Sequence, residues 1–161
     1  MAGSCSATAM NDRGEEVVIG GPEASIEFGR PDRTADGSGS RIPLRILAHG
    51  IAVDTVVDIE SWSGGVQSLV DYFADLSREW RGWSGSKEWS DDGPSVSMAA
   101  THDGVGHVTL AVTAESASGW HGEGSWTVTI RVPVEPGALT ATASKLDALV
   151  DSHRARSGED T

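Results

Sequence analysis

The sequence predicts an α+β fold: a twisted antiparallel sheet of hairpins and a meander, with two amphipathic helices packed on one face. Three patterns predict it. Apolar and polar residues alternate on both sides of a His49-Gly50 turn, from Arg41 to Asp58. The apolar period then lengthens to about 3.6 residues between Val66 and Trp80. Three more alternating runs follow, and Pro136 opens a second amphipathic stretch. Antiparallel strands with one apolar face need a cover, and the two helices supply it.

Val17-Val18-Ile19 and Ala24 to Phe28 read as short strands around Gly20-Gly21-Pro22. Gly29 to Ser40 is a polar, glycine-rich loop. With His49-Gly50 as a two-residue turn, Ala48 faces Ile51, Ile46 faces Val53, Leu44 faces Thr55 and Ile42 faces Val57. The other face then pairs Arg45 with Asp54 and Arg41 with Asp58, and a one-residue slip breaks both rows. After Trp62, the residues Val66, Leu69, Val70, Phe73, Leu76 and Trp80 share one helical stripe. Ser63 is placed to cap that helix and Gly82 to end it, with Trp83 folding back toward Arg78. Val96, Met98 and Ala100 form the next strand. A three-residue turn at Asp103-Gly104-Val105 pairs Met98 with Leu110 and Val96 with Val112. A longer connection from Ser116 to Gly124 sets Leu110 opposite Ile130 and Val112 opposite Val128. The last helix buries Leu139, Ala143, Leu146, Leu149, Val150 and His153. The expected organisation is a flexible leader over 1–15, one domain over 16–153 and a polar tail over 154–161.

A formal net charge of −12 argues against a nucleic-acid or anionic-lipid surface and suits a basic protein partner. No apolar run approaches the ~18 residues of a membrane span. The opening residues lack the basic start and apolar core of a signal peptide. The one cysteine, Cys5, can close neither an internal disulfide nor a zinc site. A cytoplasmic location is the expectation, with no cofactor. The oligomeric state is left open.

Rare residues concentrate between Trp80 and His107, which holds three of the six tryptophans and two of the five histidines. Tryptophan and histidine each demand packing and hydrogen-bond partners, or a use. The candidate binding residues are Trp83, Lys87, Trp89, His102, Asp103, His107 and Trp120. Trp120 sits with His121 in a glycine- and serine-rich loop, where a tryptophan can anchor a partner. Trp80 and Trp126 are assigned to the core, and Trp62, Trp83 and Trp89 to half-buried element ends. His102 and His107 fall on opposite faces in the three-residue-turn register, so no metal site is expected. Asp103 instead bonds the backbone of its own turn. The carboxylates Asp54 and Asp58 have cross-strand arginines, and Asp91-Asp92 precede Gly93-Pro94 in a turn. The chain has no G-x-S-x-G, no phosphate-binding G-x-x-x-x-G-K-[ST] and no H-E-x-x-H, so no catalytic residue is assigned.

Trp80, Arg81, Gly82, Trp83, Gly85, Lys87 and Trp89, followed by Thr101 to Val108, spell W-R-G-W-x-G-x-K-x-W and T-H-D-G-x-G-H-V. This combination resembles a family of small, acidic, uncharacterised bacterial proteins common in actinobacteria. It is also similar to the immunity proteins that accompany Wap-type contact-dependent toxins. The likeness spans roughly residues 40–150, with its specific motifs at 72–110. It implies a protein of unknown function that acts by binding, with a basic toxin domain as partner. The competing expectation is a small-ligand-binding protein or enzyme with a pocket near His102, Trp83 and Trp89.

Overall fold

The structure is a computed structural model that describes residues 16–93, 95–116 and 122–158. The leader, Cys5, Trp120 and His121 lie outside the described residues. The chain runs β1 (Val17–Gly20), β2 (Ala24–Phe28), β3 (Asp32–Arg33), β4 (Gly39–Ala48) and β5 (Ile51–Glu60), then a 3-10 turn (Ser61–Ser63) and α1 (Gln67–Arg78). It continues through β6 (Ser86–Ser90), β7 (Val96–His102), β8 (Val108–Glu115), β9 (Thr127–Val134) and α2 (Pro136–Gly158). The fold is α+β, and among the described residues every strand pair is antiparallel. The strands divide into two sheets. In the first, β4 is central, with β5 along one edge and β2 and β3 sharing the other; β1 extends β2. The second sheet has the order β6-β7-β8-β9.

The first hairpin has the register its sequence demands. Ala48 pairs with Ile51, Ile46 with Val53, Leu44 with Thr55 and Ile42 with Val57. Arg41 and Arg45 reach Asp58 and Asp54 at 3.0 and 2.8 Å on the other face. These pairs are solvent-exposed and screened, so their weight lies in register rather than stability. At the turn only Gly50 has a positive φ, of 76°; His49 keeps an ordinary backbone. The loop expected over Gly29 to Ser40 contains β3, paired with the start of β4.

The second sheet has the expected faces but a different register. Met98 pairs with Val112 rather than Leu110, and Val96 with Ala114. Val112 pairs with Ile130, and Leu110 with Val132. Each pairing is displaced by two residues, which leaves every side chain on its expected face. The cause is the turn, which runs from Asp103 to His107. Asp103 Oδ1 accepts hydrogen bonds from the amides of Val105 (2.8 Å) and His107 (3.0 Å), and its own amide donates to the His107 carbonyl (3.1 Å). The wider loop therefore absorbs Gly106 and His107 as well. Strand β6 adds to the expected elements and places Trp89 opposite Met98 and Lys87 opposite Ala100.

One apolar core runs under both sheets. Helix α1 buries Leu69, Val70, Phe73 and Leu76. Phe73 meets Phe28 of the first sheet edge to face at 6.3 Å. On the second sheet, the Tyr72 hydroxyl donates to the Lys87 carbonyl (2.9 Å) and Trp89 Nε1 donates to Ser68 Oγ (3.4 Å). Burial pushes the Tyr72 hydroxyl's pKa upward, keeping it a neutral donor. Helix α2 buries Leu139, Leu146, Leu149, Val150 and His153, and runs antiparallel to α1: Ser77 bonds Thr140 near one end, Gln67 bonds Arg154 near the other. It continues as helix to Gly158, into the segment read as a polar tail. Gly20, at φ 102°, closes β1 where a Cβ would collide with the Ala24 carbonyl and the Val132 side chain, so only glycine lets β1 and β9 approach. No helix among the described residues is long and apolar enough to cross a membrane.

Asp91 ties the two sheets together. It is 5% exposed. Oδ1 accepts from the amides of Ser95 (2.9 Å) and Val96 (3.1 Å), and Oδ2 accepts from the Asp58 amide (3.1 Å) and the Ser95 hydroxyl (3.0 Å). Asp92 adds a second staple: its amide donates to the Asp58 carbonyl (2.9 Å), and its Oδ2 accepts from the Glu60 amide (2.7 Å) and from Ser63. Ser63 thus serves this junction instead of capping α1, whose cap residue is Val66.

Asp91→Ala is expected to lower unfolding free energy by about 2–4 kcal/mol, because it leaves buried amides without partners. Urea denaturation measures this, and a loss below about 0.5 kcal/mol would contradict the stapling role. Asp103→Ala should raise amide exchange at Val105 and His107 by about tenfold or more while sparing β7 and β8, since only the loop loses its acceptor. Asp103→Asn, which keeps the accepting oxygen, should lie between the two.

Candidate functional site

The tryptophan–histidine segment is assembled where α1 ends against β6 and β7. Both nitrogens of His102 are engaged: Nε2 lies 3.1 Å from the Trp80 carbonyl, and Nδ1 accepts from the Gly104 amide at 2.9 Å. That pair of contacts selects the neutral tautomer with its proton on Nε2. Gly82, at φ 134°, packs directly on the ring, where a Cβ would press against it. Trp83 stands edge-on to His102 at 5.3 Å and donates from Nε1 to the Ala100 carbonyl (3.2 Å). Its cationic neighbour is Lys87, 5.8 Å above the ring, and not Arg78, which pairs with Asp75. Lys87 Nζ also reaches Asp75 of α1 (2.7 Å) and Glu79, the residue that caps its C-terminal end (2.6 Å). Those hydrogen bonds raise the lysine's pKa and lower that of Asp75.

Trp83, Lys87, Trp89 and His102 therefore form the frame of this region, with their polar atoms spent on internal bonds. Asp103 and His107 lie in the turn above it, joined at 2.6 Å. The bonds from His107 and Val105 hold the Asp103 carboxyl far below the usual carboxylate range. Its loop contacts persist above the ordinary aspartate range and are lost only as pH falls through that depressed value. His102 and His107 do not converge, and no group of three or more His, Cys, Asp or Glu among the described residues is arranged to hold a metal.

What this frame presents outward is different. Trp80 lies beyond the last residue of α1, where the helical period no longer applies, and is 51% exposed rather than core. Arg81 lies over its ring at 5.2 Å. Val105, on the loop held by the opposite nitrogen of His102, is 81% exposed. Trp126 is also exposed, because it precedes β9 and passes the end of the ladder with β8. Trp62, in the 3-10 turn, is exposed too.

A second region went unread in the sequence. A cleft of about 210 Å³ opens near the start of α1, lined by Arg33, Ser40, Gly64, Gly65, His153 and Arg154 among others. The loop after β3 forms its rim and is braced by Asp36, whose carboxyl is held at about 2 by bonds from the Ser38 amide, the Ser38 hydroxyl and the Thr34 hydroxyl. Buried His153 lies 3.4 Å from Ser40 Oγ. Burial, then the positive charges of Arg156, Arg33 and Arg30, push its imidazole pKa down, with Asp32 opposing. A broader open groove lies elsewhere, between the β4–β5 turn and β9. Neither opening is lined by Trp83, Trp89 or His102.

No curated protein of known function matches this chain. Its backbone is similar to the solved structure of the plant transcriptional regulator PBF-2, at 11% identity and a TM-score of 0.44, over 90% of this chain and 87% of that one. The model of a family of unknown function, DUF6228, matches residues 17–153, which take in every strand, α1 and most of α2. The chain belongs to this family of unknown function.

Proposed function

We propose that the protein is an acidic cytoplasmic binding module that neutralises a basic toxin domain by covering its working surface. The observation that supports this reading is the exposed Trp80, with Arg81 over its ring and Val105 nearby on the adjoining turn. Tryptophan and arginine are the residue types that most often dominate the energy of protein interfaces. Here they are pre-organised: His102 bonds the Trp80 carbonyl through one nitrogen and the base of the Val105 loop through the other. Groups already fixed in place lose less freedom on association. The net charge of −12 would speed the approach of a positively charged partner. The likeness of the W-R-G-W and T-H-D-G segments to Wap-type immunity proteins points the same way.

Within this reading the seven sequence candidates separate by role. Trp83, Lys87, Trp89 and His102 support the surface from below, Asp103 and His107 shape its turn, and Trp120 lies outside the described residues.

The test is titration calorimetry against the basic product of a gene adjacent to this one in the native host. A salt-sensitive complex is expected, weakened about 30-fold or more by Trp80→Ala with thermal stability unchanged. The proposal fails if Trp80→Ala and Val105→Asp bind as tightly as the parent chain, or if the neighbouring genes encode no such partner.

A further inference from the structure

The cleft at the start of α1 is a positive site on a strongly negative protein. Among the described residues Arg33 forms no ion pair, and Asp32 beside it in β3 offsets part of the positive field at His153. Arg154 is held in place from two sides, by Gln67 Oε1 at 2.8 Å and Asp151 at 3.3 Å, and its guanidinium stays exposed at the wall of the cleft. Half-buried Ser40 and buried His153 come from two different elements, β4 and α2, and meet below them. Gly64 and Gly65 turn the chain with φ values of 96° and 61°, and a Cβ on Gly65 would point into open space. The opening turn of α1 follows at once, and no side chain caps it.

We propose that this cleft binds a small phosphorylated ligand, whose phosphoryl group is held by Arg33 and Arg154 with Ser40 and His153 beneath it. Guanidinium groups and hydroxyls arriving from several directions suit a tetrahedral oxyanion, which offers acceptor oxygens on every side. A planar carboxylate would use only one edge of the site. Burial is the first cause of the lowered His153 imidazole pKa, and the charges of Arg156, Arg33 and Arg30, from α2, β3 and the loop before it, add to it, with Asp32 opposing. An anion in the cleft offsets those charges. The site lies at the far end of α1 from Trp80, so it stands or falls independently of the proposed docking surface.

The experiment is a titration of the full chain with inorganic phosphate at constant ionic strength, following the amide resonances of Gly64, Gly65 and Gln67 and the His153 imidazole. Saturable shifts are expected, with the His153 titration moving upward when phosphate is present. Arg33→Ala and Arg154→Ala should each weaken binding about tenfold, and Trp80→Ala should leave it unchanged. Both arginines are exposed, so these variants are expected to fold. Shifts that chloride reproduces, or undiminished phosphate binding by the double variant Arg33→Ala/Arg154→Ala, would overturn the proposal.

Discussion

Two sheets without a shared ladder must be held together by something other than strand pairing, and here α1, Asp91 and the close packing of β1 and β2 on β9 do so. The helix meets the first sheet through Phe73 against Phe28 and the second through Tyr72 and Ser68, so a single element closes the core over both. Dispersion and hydrophobic burial at that seam are non-directional. The directional part comes from Asp91 and Asp92, which fix the β6–β7 connection onto the end of β5. A buried carboxylate is costly unless several donors surround it, and Asp91 has four. The Trp80 surface and the cleft lie at opposite ends of α1, which is entered from the Ser61–Ser63 turn where Asp92 bonds Ser63.

Face was legible in the sequence; register was legible only where a second row constrained it. In the first hairpin the arginine–aspartate row and the apolar row select the same pairing, and the His49-Gly50 turn is tight. In the second sheet the outward row is threonine, serine and alanine, which tolerates a two-residue slide. Turn chemistry decided the matter, through the reach of one Asp103 carboxylate to two amides. The short β6 lay hidden in the Ser86–Ser90 segment, where Lys87 and Trp89 alternate with exposed residues.

The tryptophans show the other limit. Trp80 extends the α1 stripe on a helical wheel, yet the helix stops before it, and the same residue becomes surface. Trp126 fails similarly at the end of a strand. Periodicity says which way a side chain points only while the element lasts. The cleft was invisible for a different reason: Arg33, Gly64 and Arg154 come from β3, the turn before α1 and α2, and only folding brings them together. A signal existed in the Gly64-Gly65 pair, which marks a forced turn before a helix. The chemistry of the far wall could not be read from it.

The outer margin of β5 has its own consequence. Among the described residues, only the Asp58–Glu60 end of that strand is sheltered, by Asp91 and Asp92; toward Ile51 its outward peptide groups have no ladder partner. Such a margin is an invitation to recruit a foreign strand and seed aggregates. Asp54 stands on it as an exposed carboxylate paired with Arg45, and every second copy approaching it carries the same net negative charge. Colloidal self-avoidance is thus built into the same acidity that would draw in a cationic stranger.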